Sequence, residues 1–315
     1  MKRVWFLCLL TVLLVGLLSV TGVQAAQKEF RFVIVPKVVH PWFDKVHDGA
    51  KEMAEFLAEQ TGDKFIIDYR APSTADVVLQ NTIIEQAAAT RPDGISVDLL
   101  DGDGNRAVLE SVMALGIPVV IFDSEAPEDL GLLSIGNDFT QQAAIASERL
   151  VELLGGKGKV AIMQGVPTAP NHRIRYESHK EVFAKYPGIQ VVAEGVDNDD
   201  IETAQNQAAA ILAAHPDLDG FVSCNAAGPI GIGLAIREAG KSGRVLSVGM
   251  DDLDQLLVLI EEGVVDSSSS TKPYLQGRWT VLSLWLAKLG QPLPQTIDTG
   301  IAIITPENLD TYMTE

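Results

Sequence analysis

Between residues 29 and 289, short apolar runs alternate with segments of helical periodicity, and this alternation restricts the fold more than any other feature. The runs at 29–35, 65–69, 94–97, 118–122, 132–135, 159–163, 190–194, 220–223, 244–250 and 265–269 read as strands. Segments 42–61, 75–89, 105–115, 141–154, 174–185, 203–214, 230–239, 255–262 and 275–289 read as helices. The strands are continuous Val/Ile/Leu runs rather than polar–apolar alternations, as strands covered by helices on both faces are. Strand–helix–strand order of this kind predicts an α/β protein of doubly wound parallel sheets. Helix ends agree: Gly116 and Gly188 sit where a left-handed cap is wanted, and His215-Pro216-Asp217 breaks the chain before a strand.

The first 25 residues stand apart. Lys2 and Arg3 precede an almost unbroken apolar run over 4–18, and Val23-Gln24-Ala25 offers small residues for cleavage. This is the pattern of a secretory signal peptide. The alternative, an anchor helix, needs roughly 20 apolar residues, more than the run supplies. Cys8 lies inside the run rather than after it, so it does not read as a lipid acceptor. The expectation is cleavage near Ala26 and export to the periplasm. About 290 residues then remain, enough for two domains rather than one core. Cleavage removes two of 24 basic residues against 42 acidic ones, taking the formal charge from −18 to −20. Such a chain repels nucleic acid and anionic lipid, so no nucleic-acid or membrane-surface partner is expected. Cys224 is the one cysteine left, which excludes an internal disulfide; in its apolar setting it reads as a small buried hydrophobe.

Catalytic signatures are absent from the sequence. It has no G-x-S-x-G, H-E-x-x-H or C-x-x-C motif, and no phosphate-cradling glycine loop follows the first strand. The glycines of 228–233 surround Pro229, which lacks the N–H a phosphate would need. Asp101-Gly102-Asp103-Gly104-Asn105 begins like a calcium loop, but Arg106 and Val112 occupy the places of the required Gly and Glu. It reads as a solvated turn. The five histidines are scattered and complete no zinc set, and all but His40 read as ordinary surface or core residues. No cofactor, no metal and no enzymatic activity are expected.

What remains is a set of polar and aromatic residues at strand ends. In open parallel sheets ligands bind in the crevice outside the carboxyl ends of the strands. His40-Pro41-Trp42-Phe43 follows the first strand and suits an apolar ring face edged by hydroxyls; the alternative is a hydrophobic staple for the next helix. Asp123 and Asp251 each end an apolar strand, where a carboxylate can accept from two vicinal hydroxyls. Singly, each could equally be an N-cap. Asn225 ends a third strand, and Arg173 and Arg175 follow a fourth, offering a guanidinium fork.

On these residues the chain resembles the periplasmic sugar-binding proteins of the ribose-binding type, which share their fold with LacI-type repressor cores. The resemblance spans the mature chain. It is carried by the first strand with His40-Pro41-Trp42-Phe43 and Gly49-Ala50; by the run from Gly116 to Asp123; by Asn171-His172-Arg173-Ile174-Arg175; by His215-Pro216-Asp217 with Asn225; and by Val248-Gly249-Met250-Asp251. It implies two α/β lobes, 26–136 plus 272–297 and 137–271 plus 298–315, joined by three crossovers near Gly136, Thr271 and Ile297. The lobes close on a ligand like a hinge. The implied contacts are His40, Trp42, Phe43, Asp123, Arg175, Asn225, Asp251 and Thr271, with Arg173 beside them. The chain also departs from ribose binders. His40 stands where they carry Asn, Trp42-Phe43 where they carry two phenylalanines, and Ser124 where they carry Arg. Asn198 aligns with their second-lobe aromatic and Thr271 with their Gln. These departures point away from ribose, toward another monosaccharide or a polyol. The implied partners are the permease of an ABC importer or, alternatively, a chemoreceptor or sensor kinase, with the protein itself a monomer.

Overall fold

The computed structural model describes residues 26–313; the expected leader, residues 1–25, lies outside them. Among the described residues no helix is long and apolar enough to cross a membrane.

The chain opens with β1 (Glu29–Val35), α1 (Pro41–Thr61), β2 (Lys64–Tyr69), α2 (Val77–Ala89), β3 (Gly94–Val97), α3 (Arg106–Ala114), β4 (Val119–Phe122) and β5 (Leu133–Gly136). All five strands pair in parallel. Period-two alternation sends their side chains into two cores. Phe32, Ile34, Val120 and Phe122 face one side of the sheet, whereas Val33, Val35, Val119 and Ile121 face the other and pack on Ile84 of α2 and Leu109 of α3.

After Gly136 the chain crosses to a second sheet. It runs through α4 (Phe139–Leu153), β6 (Lys157–Gln164), α5 (Pro170–Ala184), β7 (Gly188–Val196), α6 (Ile201–Ala214), β8 (Gly220–Ser223), α7 (Ala227–Glu238), β9 (Leu246–Ser247), β10 (Gly249–Met250), α8 (Asp254–Glu261) and β11 (Ser268–Ser270). It then returns to the first lobe with α9 (Pro273–Lys288) and β12 (Thr296–Asp298), and crosses a third time to β13 (Ala302–Ile304) and α10 (Asp310–Met313). β12 extends the first sheet in parallel beside β5. Asp76, Asp138 and Asp200 cap α2, α4 and α6 by accepting from first-turn amides.

Two details depart from the sequence reading. The single strand expected over 244–250 is split: its first half pairs with β8, Val248 still donates to Phe221 O at 3.3 Å, and its second half pairs with β11. The strand pivots between neighbours, so the second lobe's β7-β6-β8-β9 sheet continues as β10-β11-β13. β13 is antiparallel to β11, where only parallel strands were expected. A third crossing that enters at a sheet edge needs no helical return, so it can run antiparallel.

The first sheet has the order β12-β5-β4-β3-β1-β2 and the second begins β7-β6-β8-β9. Strand order therefore reverses between β1 and β3 in one lobe and between β6 and β8 in the other, the switch points at which such sheets open a crevice. α9 holds the first lobe together from behind. It crosses α1 with backbones in contact: a Cβ on Gly277 would stand 1.9 Å from Val46 O, and one on Gly49 2.0 Å from Tyr274 O. Only glycine permits that approach.

Candidate functional site

The carboxyl ends of the two sheets face each other, and the loops leaving them line a cavity with only about 10 Å3 of free space, room for about one water. Ligand clefts run roughly 300–1,000 Å3, so this arrangement of the lobes is nearly shut. The first lobe contributes Lys37, His40, Trp42 and Phe43 from the β1–α1 turn and Asp123 from the end of β4. The second lobe contributes His172 and Arg175 from α5, Asp199 after β7, Asn225 and Ala226 after β8, and Asp251 after β10. Of the five described non-glycine residues with positive φ, four lie at these strand ends: Asp123 (46°), Asn198 (54°), Asp199 (63°) and Asp251 (68°). Left-handed backbone costs an L-residue energy that Asp and Asn tolerate best, and here it turns carboxylates into the cleft.

Each polar group has a defined state. His40 caps α1, its Nδ1 accepting from Trp42 N–H at 3.2 Å, which leaves Nε2 as the ring's N–H donor. That nitrogen is buried with no partner in the protein. His172 is fixed in the same way, Nδ1 accepting from Val166 N–H at 2.8 Å. Burial, then the Lys37 charge, hold its pKa well below the ordinary value, so His172 is neutral. Asp123 Oδ2 accepts from Asn171 Nδ2 at 2.9 Å and lies 3.5 Å from Lys37 Nζ. Its Oδ1 makes no well-formed hydrogen bond in the protein and lies 4.0 Å from Arg175 Nη2, with the buried Gln276 side chain also near the carboxylate. Burial raises the Asp123 pKa against the pull of Lys37 and Arg175, and nearby Asp251 adds to the rise.

Lys37 is itself buried, at 1 % exposure. Burial works to lower its pKa, but Asp98, Asp123 and Asp199 together raise it above the ordinary value. Its main partner is Asp98, at 2.7 Å. Burial works to raise the Asp199 pKa, but the Lys37 charge and the hydrogen bond from Asn225 Nδ2 offset it, and the carboxyl is held below the usual range. Arg175 is spread over three supports: Nε donates to Gln142 Oε1 at 3.0 Å, Nη1 to Cys224 O at 3.2 Å, and the guanidinium lies 4.8 Å over the Phe139 ring. Trp42 and Phe43 meet edge to face at 5.0 Å and form the aromatic wall; the described second-lobe residues lining the cavity include no Phe, Tyr or Trp.

The structure brings seven of the residues singled out from the sequence into this cavity: His40, Trp42, Phe43, Asp123, Arg175, Asn225 and Asp251. Four others are placed differently. Arg173 is exposed on the outer face of α5, because two residues along a helix turn a side chain away from the face that Arg175 presents. Asn198 is exposed and its neighbour Asp199 points inward. Ser124 stands behind the wall, its hydroxyl donating to Asp98 and accepting from Leu99 N–H at 3.2 Å. Thr271 sits one layer out. It donates to Asp251 Oδ1 at 2.6 Å and accepts from Trp42 Nε1 at 3.1 Å, linking the aromatic wall to the second lobe's carboxylate. Asn225 lines the cavity, but both its N–H bonds go to Asp197 and Asp199 (2.7 and 2.9 Å) and its oxygen accepts from Gly228 N–H. It orients Asp199. Lys37, His172 and Asp199 were not singled out from the sequence. Lys37, two residues past β1, satisfies the same strand-end criterion that selected Asp123.

Elsewhere, the Asp101 carboxylate bonds the amides of its own turn at 3.0 and 2.8 Å, and no metal-holding cluster exists among the described residues. Cys224 is fully buried and burial pushes its thiol pKa up, so it is unreactive. A wider, open groove of about 350 Å3 borders Glu125–Glu128 and Gln295 at the edge of the first sheet; the buried polar residues lining it are Ser124 and Asn137.

The family model for a periplasmic binding protein domain matches residues 31–292. The chain belongs to the periplasmic binding protein family. This is a family of solute-binding proteins, not enzymes. Among its curated relatives are a D-apiose import binding protein of Actinobacillus succinogenes, 26% identical over 78% of this chain and 76% of the relative. A xylose/arabinose-binding protein of Sulfolobus acidocaldarius is 25% identical, covering 94% and 78% respectively. Of solved structures, an ABC transporter solute-binding protein of Burkholderia graminis in complex with D-arabinose superposes with a TM-score of 0.84 at 28% identity, over 91% of this chain and 99% of that one.

Proposed function

We propose that this protein is the periplasmic solute-binding component of an ABC importer and holds a small, neutral, hydroxylated ligand, a monosaccharide or polyol other than ribose, in the cleft between its lobes. The observation that carries this reading is the convergence of first-lobe and second-lobe groups on one buried cavity in which His40 Nε2 and Asp123 Oδ1 make no well-formed hydrogen bond in the protein. Buried polar atoms find partners, and a donor and an acceptor set beside an aromatic wall match a hydroxylated ring. Two further carboxylates, Asp199 and Asp251, line the same space, and they oppose an anionic ligand. The relatives named for D-apiose import and for xylose/arabinose binding favour a ligand of pentose size. Lobes of 26–136 plus 272–297 and 137–271 plus 298–315 move as the two jaws, and the leader over residues 1–25 delivers a monomer to the periplasm, where the loaded form docks on its permease.

A thermal-shift screen of pentoses, hexoses, polyols, sugar acids and sugar phosphates tests this. A true ligand at 100 times its dissociation constant stabilises the fold by about 2.7 kcal/mol. Hits among the neutral compounds are expected; hits confined to acids or phosphates would overturn the reading.

A further inference from the structure

Asn171 opens α5 in the second lobe and is completely buried, yet it does not line the cavity. Its side chain reaches across to the first lobe. Nδ2 donates to Asp123 Oδ2 at 2.9 Å, while Oδ1 accepts from Lys37 Nζ at 3.4 Å and from His172 N–H at 2.9 Å. The amide orientation is fixed by these neighbours: a carboxylate needs the NH2, and an ammonium and an amide N–H need the oxygen. One residue of the second lobe thus engages both charges of a first-lobe ion pair.

The bridge is reinforced at the cleft mouth. Thr168 Oγ1 donates to Leu100 O at 3.0 Å, and Leu100 packs on Val166 and Ala169 with Ala75 and Val77 beside them. Across the opening, Lys45 Nζ meets Asp252 O at 3.1 Å. All of these contacts run from protein to protein, so they favour the closed arrangement whatever the cavity contains.

We infer that Asn171 is a positioning residue that joins the lobes: it clamps Asp123 Oδ2, leaves Oδ1 directed to the ligand, and biases the protein toward closure independently of ligand. The second part of this rests on the cleft being the binding site; the first does not. A ligand shifts an equilibrium only by its differential affinity for the two states. A built-in bias toward closure therefore raises affinity for every ligand alike, and the residue responsible tunes affinity without being seen by the solute.

The test uses no ligand, so an incorrect ligand class leaves it unaffected. Spin labels are placed on D103C and E177C, both exposed and one in each lobe; Cys224 is buried and stays unlabelled. Distance distributions are measured by pulsed electron resonance. The parent should show a short-distance population beside the open one. Asn171→Ala should lower the closed-to-open ratio about tenfold or more, the loss expected for hydrogen bonds to charged groups. Asn171→Asp separates bridging from helix capping. It keeps an oxygen for His172 N–H at the start of α5, but sets a carboxylate against Asp123, so it should open the protein at least as far as alanine does. The inference is overturned if the parent shows only the open distance, if Asn171→Ala leaves the distribution unchanged, or if Asn171→Asp restores the parent's closed fraction.

Discussion

Replacement of Asp251 by asparagine separates binding from folding at this site. Asp251 is 3 % exposed, and its Oδ1 already accepts from Thr271 N–H at 3.2 Å and from Thr271 Oγ1 at 2.6 Å. Asparagine keeps that oxygen and also tolerates the φ of 68° that the position demands. What it loses is the negative charge and the second acceptor oxygen. A hydrogen bond to a charged group is worth about 1.5–3 kcal/mol, which corresponds to roughly a 10- to 150-fold rise in Kd. Asp251→Ala, by contrast, strips Thr271 of its acceptor, leaves a buried N–H unpaired at about 1–3 kcal/mol, and puts alanine in left-handed backbone at about 1–2 kcal/mol more. The alanine variant should therefore lose binding and melt earlier while still folding; the asparagine variant should lose binding with its Tm nearly intact. Calorimetry with the best neutral compound from the screen, paired with thermal melts, reads both. An asparagine variant within twofold of the parent Kd would remove Asp251 from the ligand's contacts.

Two further outcomes follow from the packing. His179 is buried, its Nδ1 facing Ser147 Oγ at 2.6 Å and its Nε2 facing Ser223 O at 3.0 Å, and burial lowers its pKa to about 4. The unfolded chain takes up a proton near pH 6.5 that the folded one refuses, so this contribution to stability is full above pH 6.5 and is lost as pH falls toward 4. About 2 kcal/mol should be lost between pH 6.5 and 5 from this residue alone, and urea unfolding at the two pH values should show a smaller difference in His179→Gln; an unchanged pH dependence in the variant would count against the buried neutral ring. At the back of the first lobe, Gly277→Ala drives a methyl group into Val46 O, and overpacking against backbone should cost about 1–3 kcal/mol or more; a variant with the parent's denaturation midpoint would contradict the backbone contact between α1 and α9.

The parts of the fold that were legible in the sequence are those where burial on both faces writes itself into composition. β3, β4 and β8 are short apolar runs buried along their whole length, and β1 becomes one from Phe32 onward. β12 and β13 are three residues each and partly exposed, too short to carry a period of their own, so only pairing to β5 and β11 defines them. In the site, Asp123 and Asp251 were visible because a charge at the end of an apolar run is conspicuous. Lys37 was not, because lysine is almost never fully buried unless paired, and its partner Asp98 lies 61 positions away in sequence. Asn198 and Asp199 differ by one position in a stretch where both adopt positive φ. Strand alternation no longer says which of them points inward. The arginines on α5 were decidable in principle: His172 and Arg175 are three apart and share a face, and Arg173 does not.

The account stands on one structural claim: the solute sits between the lobes and is held by both. A crystal structure of the protein with the strongest neutral compound from the screen tests it directly. Density is predicted in the cavity beside Trp42, within hydrogen-bond distance of Asp123 Oδ1 and His40 Nε2 on one side and of Asp251 or Arg175 on the other. Density lying against one lobe alone, or in the groove along Glu125–Glu128 and Gln295, would contradict it.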